Sequence, residues 1–109
     1  MTRSKIRLGV NIDHIAFIKK SRDTDFPNLQ EAVLTCQDAG ADLITIHLRE
    51  DRRHIQDDDA LTIRNCCEQL NFEMANTDEM IEFAIKLKPN YCCIVPEKRD
   101  EKTTEGGLR

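Results

Sequence analysis

Apolar positions along the chain switch between two periods. Short runs at 6–12 (IRLGVNI), 43–48 (LITIHL), 71–75 (NFEMA) and 91–95 (YCCIV) have the length and side-chain character of β-strands. Longer stretches between them carry helical spacing. In 27–40, Leu29, Ala32, Val33, Cys36 and Ala39 share one side of a helix that Pro27 opens and Gly40 stops. Asp57, Asp58 and Asp59 suit the first turn of a second helix, where acidic groups face unpaired N–H donors, and this helix is expected to run to about Leu70. Thr77 is the expected N-cap of a third. Met80, Ile81, Ala84, Ile85 and Leu87 form its apolar stripe, and Pro89 ends it. The residues after the first strand, with Lys19, Lys20 and Arg22, read as a short connecting segment. Residues 96–109 read as a long polar loop.

Strands separated by helices imply an α/β fold with a parallel sheet and right-handed crossovers. Runs such as LITIHL and YCCIV are nearly continuous in apolar residues, as strands covered on both faces should be. A doubly wound sheet competes with a barrel for this pattern. It often carries a glycine-rich phosphate loop after its first strand. Here Asn11-Ile12-Asp13-His14 stands in that place and no G-x-G-x-x-G occurs.

Strand side chains alternate between faces. Leu8, Val10 and Ile12 share one face of the first strand, and Gly9, Asn11 and Asp13 the other. Ile44, Ile46 and Leu48 oppose Thr45, His47 and Arg49, and Phe72 and Met74 oppose Asn71, Glu73 and Ala75. Each strand thus offers an apolar face to helices and collects polar groups near its carboxyl end. Parallel (β/α)₈ enzymes build their active sites at that end. A single strand ending in Asn or Asp means little, because such residues also cap strands; three in succession point to a site. The three histidines, His14, His47 and His54, all lie at or just past strand ends. With Glu73 they suit proton transfer. No H-x-H or H-x-x-x-H spacing pairs them as metal ligands, so no metal is expected.

Charge refines this picture. The net charge of −4 gives no general attraction for nucleic acid or an anionic membrane. Against that background Arg22, Arg49, Arg52, Arg53, Lys98, Arg99 and Lys102 gather in segments after strands. Guanidinium forks there suit a phosphate. Glu50, Asp51 and the three aspartates beyond them are expected to pair with some of these arginines, with Arg49 as the exception because it shares a face with His47. Composition places the chain among globular proteins, with no apolar run able to span a bilayer and no secretory start, so a cytoplasmic location is expected. The five cysteines are odd in number and form no C-x-x-C, so they are expected as reduced, buried or half-buried thiols.

The blocks GVNIDHIA (9–16), ITIHLREDRRHI (44–55), NFEMA (71–75), VPEKR (95–99) and TTEGGL (103–108) closely resemble the pyridoxine 5′-phosphate synthase family, in family order and spacing. The resemblance implies a TIM (β/α)₈ barrel of parallel strands. A whole barrel takes about 250 residues. Residues 1–109 are therefore expected to form a single incomplete domain, the N-terminal half with about four βα units. It further implies condensation of 3-amino-2-oxopropyl phosphate with 1-deoxy-D-xylulose 5-phosphate to give pyridoxine 5′-phosphate, phosphate and water. No metal or organic cofactor takes part, and members are cytosolic homo-oligomers with no nucleic-acid or membrane partner. Carried onto this chain, His47 and Glu73 would be general acid/bases. Asn11 and Arg22 would contact the amino ketone phosphate, and Asp13 and His14 the deoxyxylulose phosphate. Arg49 and His54 would hold the latter's phosphate, with Thr103 assisting. The family's further catalytic histidine and phosphate-binding region lie beyond this stretch, so the 109-residue chain alone is expected to be inactive. Two other functions remain open: another phosphate-handling barrel enzyme, or a non-catalytic remnant that binds anions.

Overall fold

A computed structural model of the chain describes residues 5–97. Strands and helices alternate as β1 (Gly9–Asn11), α1 (Asp13–Arg22), α2 (Leu29–Asp38), β2 (Leu43–His47), α3 (Asp57–Cys66), β3 (Leu70–Met74), α4 (Asp78–Leu87) and β4 (Tyr91–Ile94). The strands pair in chain order as one parallel sheet. Register sorts their side chains into rows. Val10, Ile44 and Leu70 form one row, and Ile46, Phe72 and Cys92 another, on the helix-covered face. Asn11, Thr45, Asn71 and Tyr91, then His47, Glu73 and Cys93, line the opposite face. The predicted alternation is therefore the alternation of the fold.

The core lies between the sheet's apolar rows and the helices. Ile44, Ile46, Leu70 and Phe72 are fully buried there with Val33, Ile63 and Met80 from the helices. Each such side chain removed from water favours folding by about 2 kcal/mol. Side chains cap two helix starts, at Thr77 as expected and at Asn28, one residue past the Pro27 expected to open α2. The Thr77 hydroxyl accepts from the Met80 N–H at 3.3 Å, and the Asn28 side chain accepts from the Glu31 N–H at 3.0 Å. Gly40 follows α2 at φ +109°, a conformation few other residues adopt. At the other end of the strands, Arg7 bridges the two outer strands across the polar face. Its Nη1 donates to the Tyr91 hydroxyl at 3.1 Å, and its guanidinium lies 5.7 Å from the ring centre.

The structure departs from the sequence reading at four places. The segment after β1 is a ten-residue helix, α1, rather than a short connection. Its apolar residues Ile15, Ala16, Phe17 and Ile18 are contiguous, so no helical period shows, and Phe17 and Ile18 remain exposed. β1 covers three residues rather than seven, and Ile6 and Leu8 are exposed, because an outer strand has one neighbour to fix its ladder. α3 ends at Cys66, where Cys67 turns extended, and Leu70 opens β3 instead of closing the helix. Cys36 and Cys66 are half-buried and Cys67 buried as expected, but Cys92 and Cys93 are exposed because β4 is the other outer strand.

Candidate active site

Only Ile12 separates β1 from α1, so Asn11, Asp13 and His14 crowd the strand's carboxyl end. Asn11 holds the turn: its Oδ1 accepts from the Asp13 N–H at 2.8 Å and its Nδ2 donates to Asp13 Oδ2 at 3.0 Å. The other carboxylate oxygen of Asp13 accepts from the His47 N–H at 2.9 Å, tying the end of β1 to the end of β2. Burial pushes the Asp13 carboxyl above its usual range, against the hydrogen bonds from Asn11 and the His47 N–H.

His47 ends β2 and is register partner to Glu73 on β3, so the imidazole and the carboxyl stand side by side on the polar face. His47 is 4% exposed. Its Nε2 lies 2.8 Å from Glu97 Oε2, and the two side chains are 5% and 7% exposed. Glu97 Oε1 accepts from the Glu50 N–H at 3.0 Å. Glu73 is half-buried, and burial raises its pKa; the charge of Asp13 pushes the same way and that of His47 opposes.

The loop from Arg49 to Gln56 supplies the remaining groups. Arg52 organises it from a left-handed conformation at φ 52°. Its guanidinium donates to the carbonyls of Arg49 and Glu50 and to the carboxylates of Asp57 and Glu79. Lys20 from α1 donates to the Arg52 carbonyl at 2.9 Å. A residue that leaves the ordinary backbone region needs such surroundings to keep it there. Held this way, His54 packs its ring 4.9 Å from that of His14 and 5.5 Å from that of Phe17. Burial, helped by the charges of His14, Arg49 and Arg53, lowers the His54 pKa to about 4, so at neutral pH it is an uncharged hydrogen-bonding group.

Asn11, Asp13, His14, His47, Arg49, His54 and Glu73 line one cavity of about 430 Å³ at the carboxyl ends of the strands. The structure thus brings together seven of the nine residues singled out from sequence. Arg22 is exposed in the last turn of α1 and does not line this cavity. Thr103 lies outside the described residues, as do Lys98, Arg99 and Lys102. Arg49 corrects one expectation. It lines the cavity at 2% exposure, yet its Nε donates to Asp51 Oδ1 at 3.1 Å, so it does not escape the acidic loop. Burial works against ionisation of Asp51, but Arg49 and Arg53 outweigh it and hold that carboxyl below its usual range. Glu97 was not singled out from sequence. It lies three residues past the end of β4, where strand alternation no longer assigns a side chain to a face, so no local signal marked it. Among the described residues no three His, Cys, Asp or Glu side chains are grouped to hold a metal ion. No helix among them is long and apolar enough to cross a membrane.

Parallel βα units in chain order, with polar groups gathered at the carboxyl ends, define the chain as the N-terminal half of a (β/α)₈ barrel. The family model described as pyridoxal phosphate biosynthesis protein PdxJ matches residues 8–109, and the chain belongs to that family. It is 56% identical to a pyridoxine 5′-phosphate synthase of Thioalkalivibrio sulfidiphilus over 108 residues, covering 98% of this chain and 44% of the relative. A protein of the same name from Coxiella burnetii is 56% identical over 104 residues, covering 94% and 43%. One from Ehrlichia chaffeensis is 53% identical over 106 residues, covering 96% and 44%. The chain therefore spans less than half the length of the curated relatives it matches.

Proposed function

We propose that this chain is the first half of a pyridoxine 5′-phosphate synthase, which condenses 3-amino-2-oxopropyl phosphate with 1-deoxy-D-xylulose 5-phosphate. The observation that carries this reading is the shared cavity: groups from three strand ends meet there, with His47 and Glu73 as register partners. The reaction needs repeated proton transfer at fixed places. An amine adds to a ketone and water leaves to give an imine; protons then leave carbon, and phosphate and a second water depart as the ring closes. Imidazole can accept and donate a proton near neutral pH. A carboxyl whose pKa is raised by burial, as at Glu73, can do both as well. In this reading Asn11 and Arg22 contact the amino ketone phosphate. Asp13 and His14 contact the deoxyxylulose phosphate, whose phosphate Arg49, His54 and Thr103 hold. A neutral His54 contributes an N–H donor there rather than a charge. Gathering two substrates in one cavity supplies orientation, a large share of such catalysis.

The activity belongs, on this proposal, to a cytosolic homo-oligomer of family length that works without metal or organic cofactor. The described residues supply four strands, half of a barrel, and on this proposal the 109-residue chain alone is inactive. In the family-length protein carrying this sequence, His47→Ala and Glu73→Ala are each expected to lower kcat by about 10²–10⁴-fold. Steady-state turnover of the two substrates checks this, and near-normal rates in both variants would remove the mechanism. Tight binding of either substrate by the unmutated family-length protein, with no turnover, would favour an anion-binding remnant.

A further inference from the structure

The buried contact between Glu97 and His47 has no part in the roles above. We infer that Glu97 is a positioning residue, which fixes His47 as the tautomer protonated at Nε2 and leaves Nδ1 to exchange protons with the substrate. The inference rests on the proposed acid/base role of His47.

Three observations carry it. First, Nε2 stands 2.8 Å from a carboxylate oxygen, with both side chains almost wholly removed from solvent. An ionised carboxylate only accepts hydrogen bonds, so the proton of a neutral ring belongs on Nε2. The opposite tautomer would set a ring lone pair against the carboxylate oxygen in a poorly screened place. Second, Glu97 is itself held: its other oxygen accepts the Glu50 N–H at 3.0 Å, from the loop that follows β2. The His47 backbone is held as well, by its N–H bond to Asp13. Third, Nδ1 has no hydrogen-bond partner among the described residues, while His47 lines the cavity together with Glu73. The ring is pinned at one nitrogen and offers the other.

The chemistry balances. When a substrate C–H bond breaks, its electron pair stays on the substrate and its proton passes to Nδ1. The ring becomes an imidazolium whose charge faces the Glu97 carboxylate across the bond already in place. When the proton moves on to a departing oxygen, the ring returns to its Nε2–H form. A carboxylate that orients a histidine and offsets its transient charge does the same in acyl-transfer enzymes on unrelated folds.

Long-range ¹H–¹⁵N spectra of the protein labelled with ¹⁵N-histidine read the tautomer directly. The neutral His47 ring is expected to carry its proton on Nε2, and Glu97→Gln, whose amide can present oxygen or nitrogen, is expected to mix the two tautomers. In the family-length protein, Glu97→Gln is expected to lower kcat by about 10²-fold while KM changes less than about threefold. A wild-type ring protonated on Nδ1, or a tautomer that Glu97→Gln leaves unchanged, overturns the inference. If Glu97→Gln fails to fold, the wild-type spectrum alone decides. An Nε2–H ring combined with a normal rate for His47→Ala would instead overturn the acid/base reading, and with it any catalytic meaning of the contact.

Discussion

His54 shows how burial changes what a side chain can do. Its folded-state pKa lies near 4, against 6.5 for an ordinary histidine. Between those values the unfolded chain holds a proton that the native state refuses. Native stability therefore falls as pH drops from about 6.5 to about 4, and the loss levels off below that. Denaturant titrations of wild type and His54→Gln check this. The stability of wild type relative to the variant should be lower at pH 5 than at pH 7, and a difference independent of pH would mean an ordinary His54. Glu73 has the opposite sign. Burial raises its pKa, so its contribution to stability is present at low pH and is lost as pH rises above the ordinary carboxyl range. Glu73→Gln keeps the shape and removes the buried charge. It should raise the melting temperature at pH 7 while abolishing proton transfer at that position. A lower melting temperature would show that the carboxylate is better solvated than its position suggests.

Single residues also settle whether a helix or loop holds its shape. Thr77 satisfies one otherwise unpaired N–H at the start of α4, and Thr77→Ala should cost about 1 kcal/mol in denaturant unfolding. Arg52 braces the loop between β2 and α3 through two carbonyls and two carboxylates. Its removal should let Arg49 and His54 wander. In the family-length protein, Arg52→Ala is thus expected to raise KM for the deoxyxylulose phosphate several-fold more than it lowers kcat. An unchanged KM would mean that the loop holds itself. The strands, α2 and α4 were legible from sequence because period and end signals agree there: Thr77 caps, Gly40 stops, and Ile44, Ile46, Phe72 and Met74 alternate. α1 was not, because its apolar residues are consecutive and two of them face solvent. Among site residues, the seven at the cavity lay within reach of alternation and of the family blocks. The partner of His47 did not, because the contact joins positions 47 and 97 across two strands and no local pattern records it. Nor did sequence show that Arg49 would bond to Asp51 while still facing the cavity.

Across the described residues, the sheet has one helix-covered face and two outer strands. Among the described residues β1 and β4 each have one strand neighbour, and Ile81, Ile85, Tyr91 and Ile94 lie exposed around the β4 side. Unpaired strand edges flanked by apolar side chains promote association. The 109-residue chain is therefore expected to self-associate with rising concentration in sedimentation experiments, and Ile94→Lys should weaken that association. A strictly monomeric wild type would show that the edges protect themselves. Arg7 already links the outer strands at the end of the sheet remote from the cavity. Its partner Tyr91 is the chain's single tyrosine, and the chain has no tryptophan. Ultraviolet emission from the 109-residue chain therefore comes essentially from one ring, seated where the segment leading into β1 meets β4. The molecule carries its own optical gauge of whether the span between those strands is kept, readable without any label and without touching a residue of the cavity.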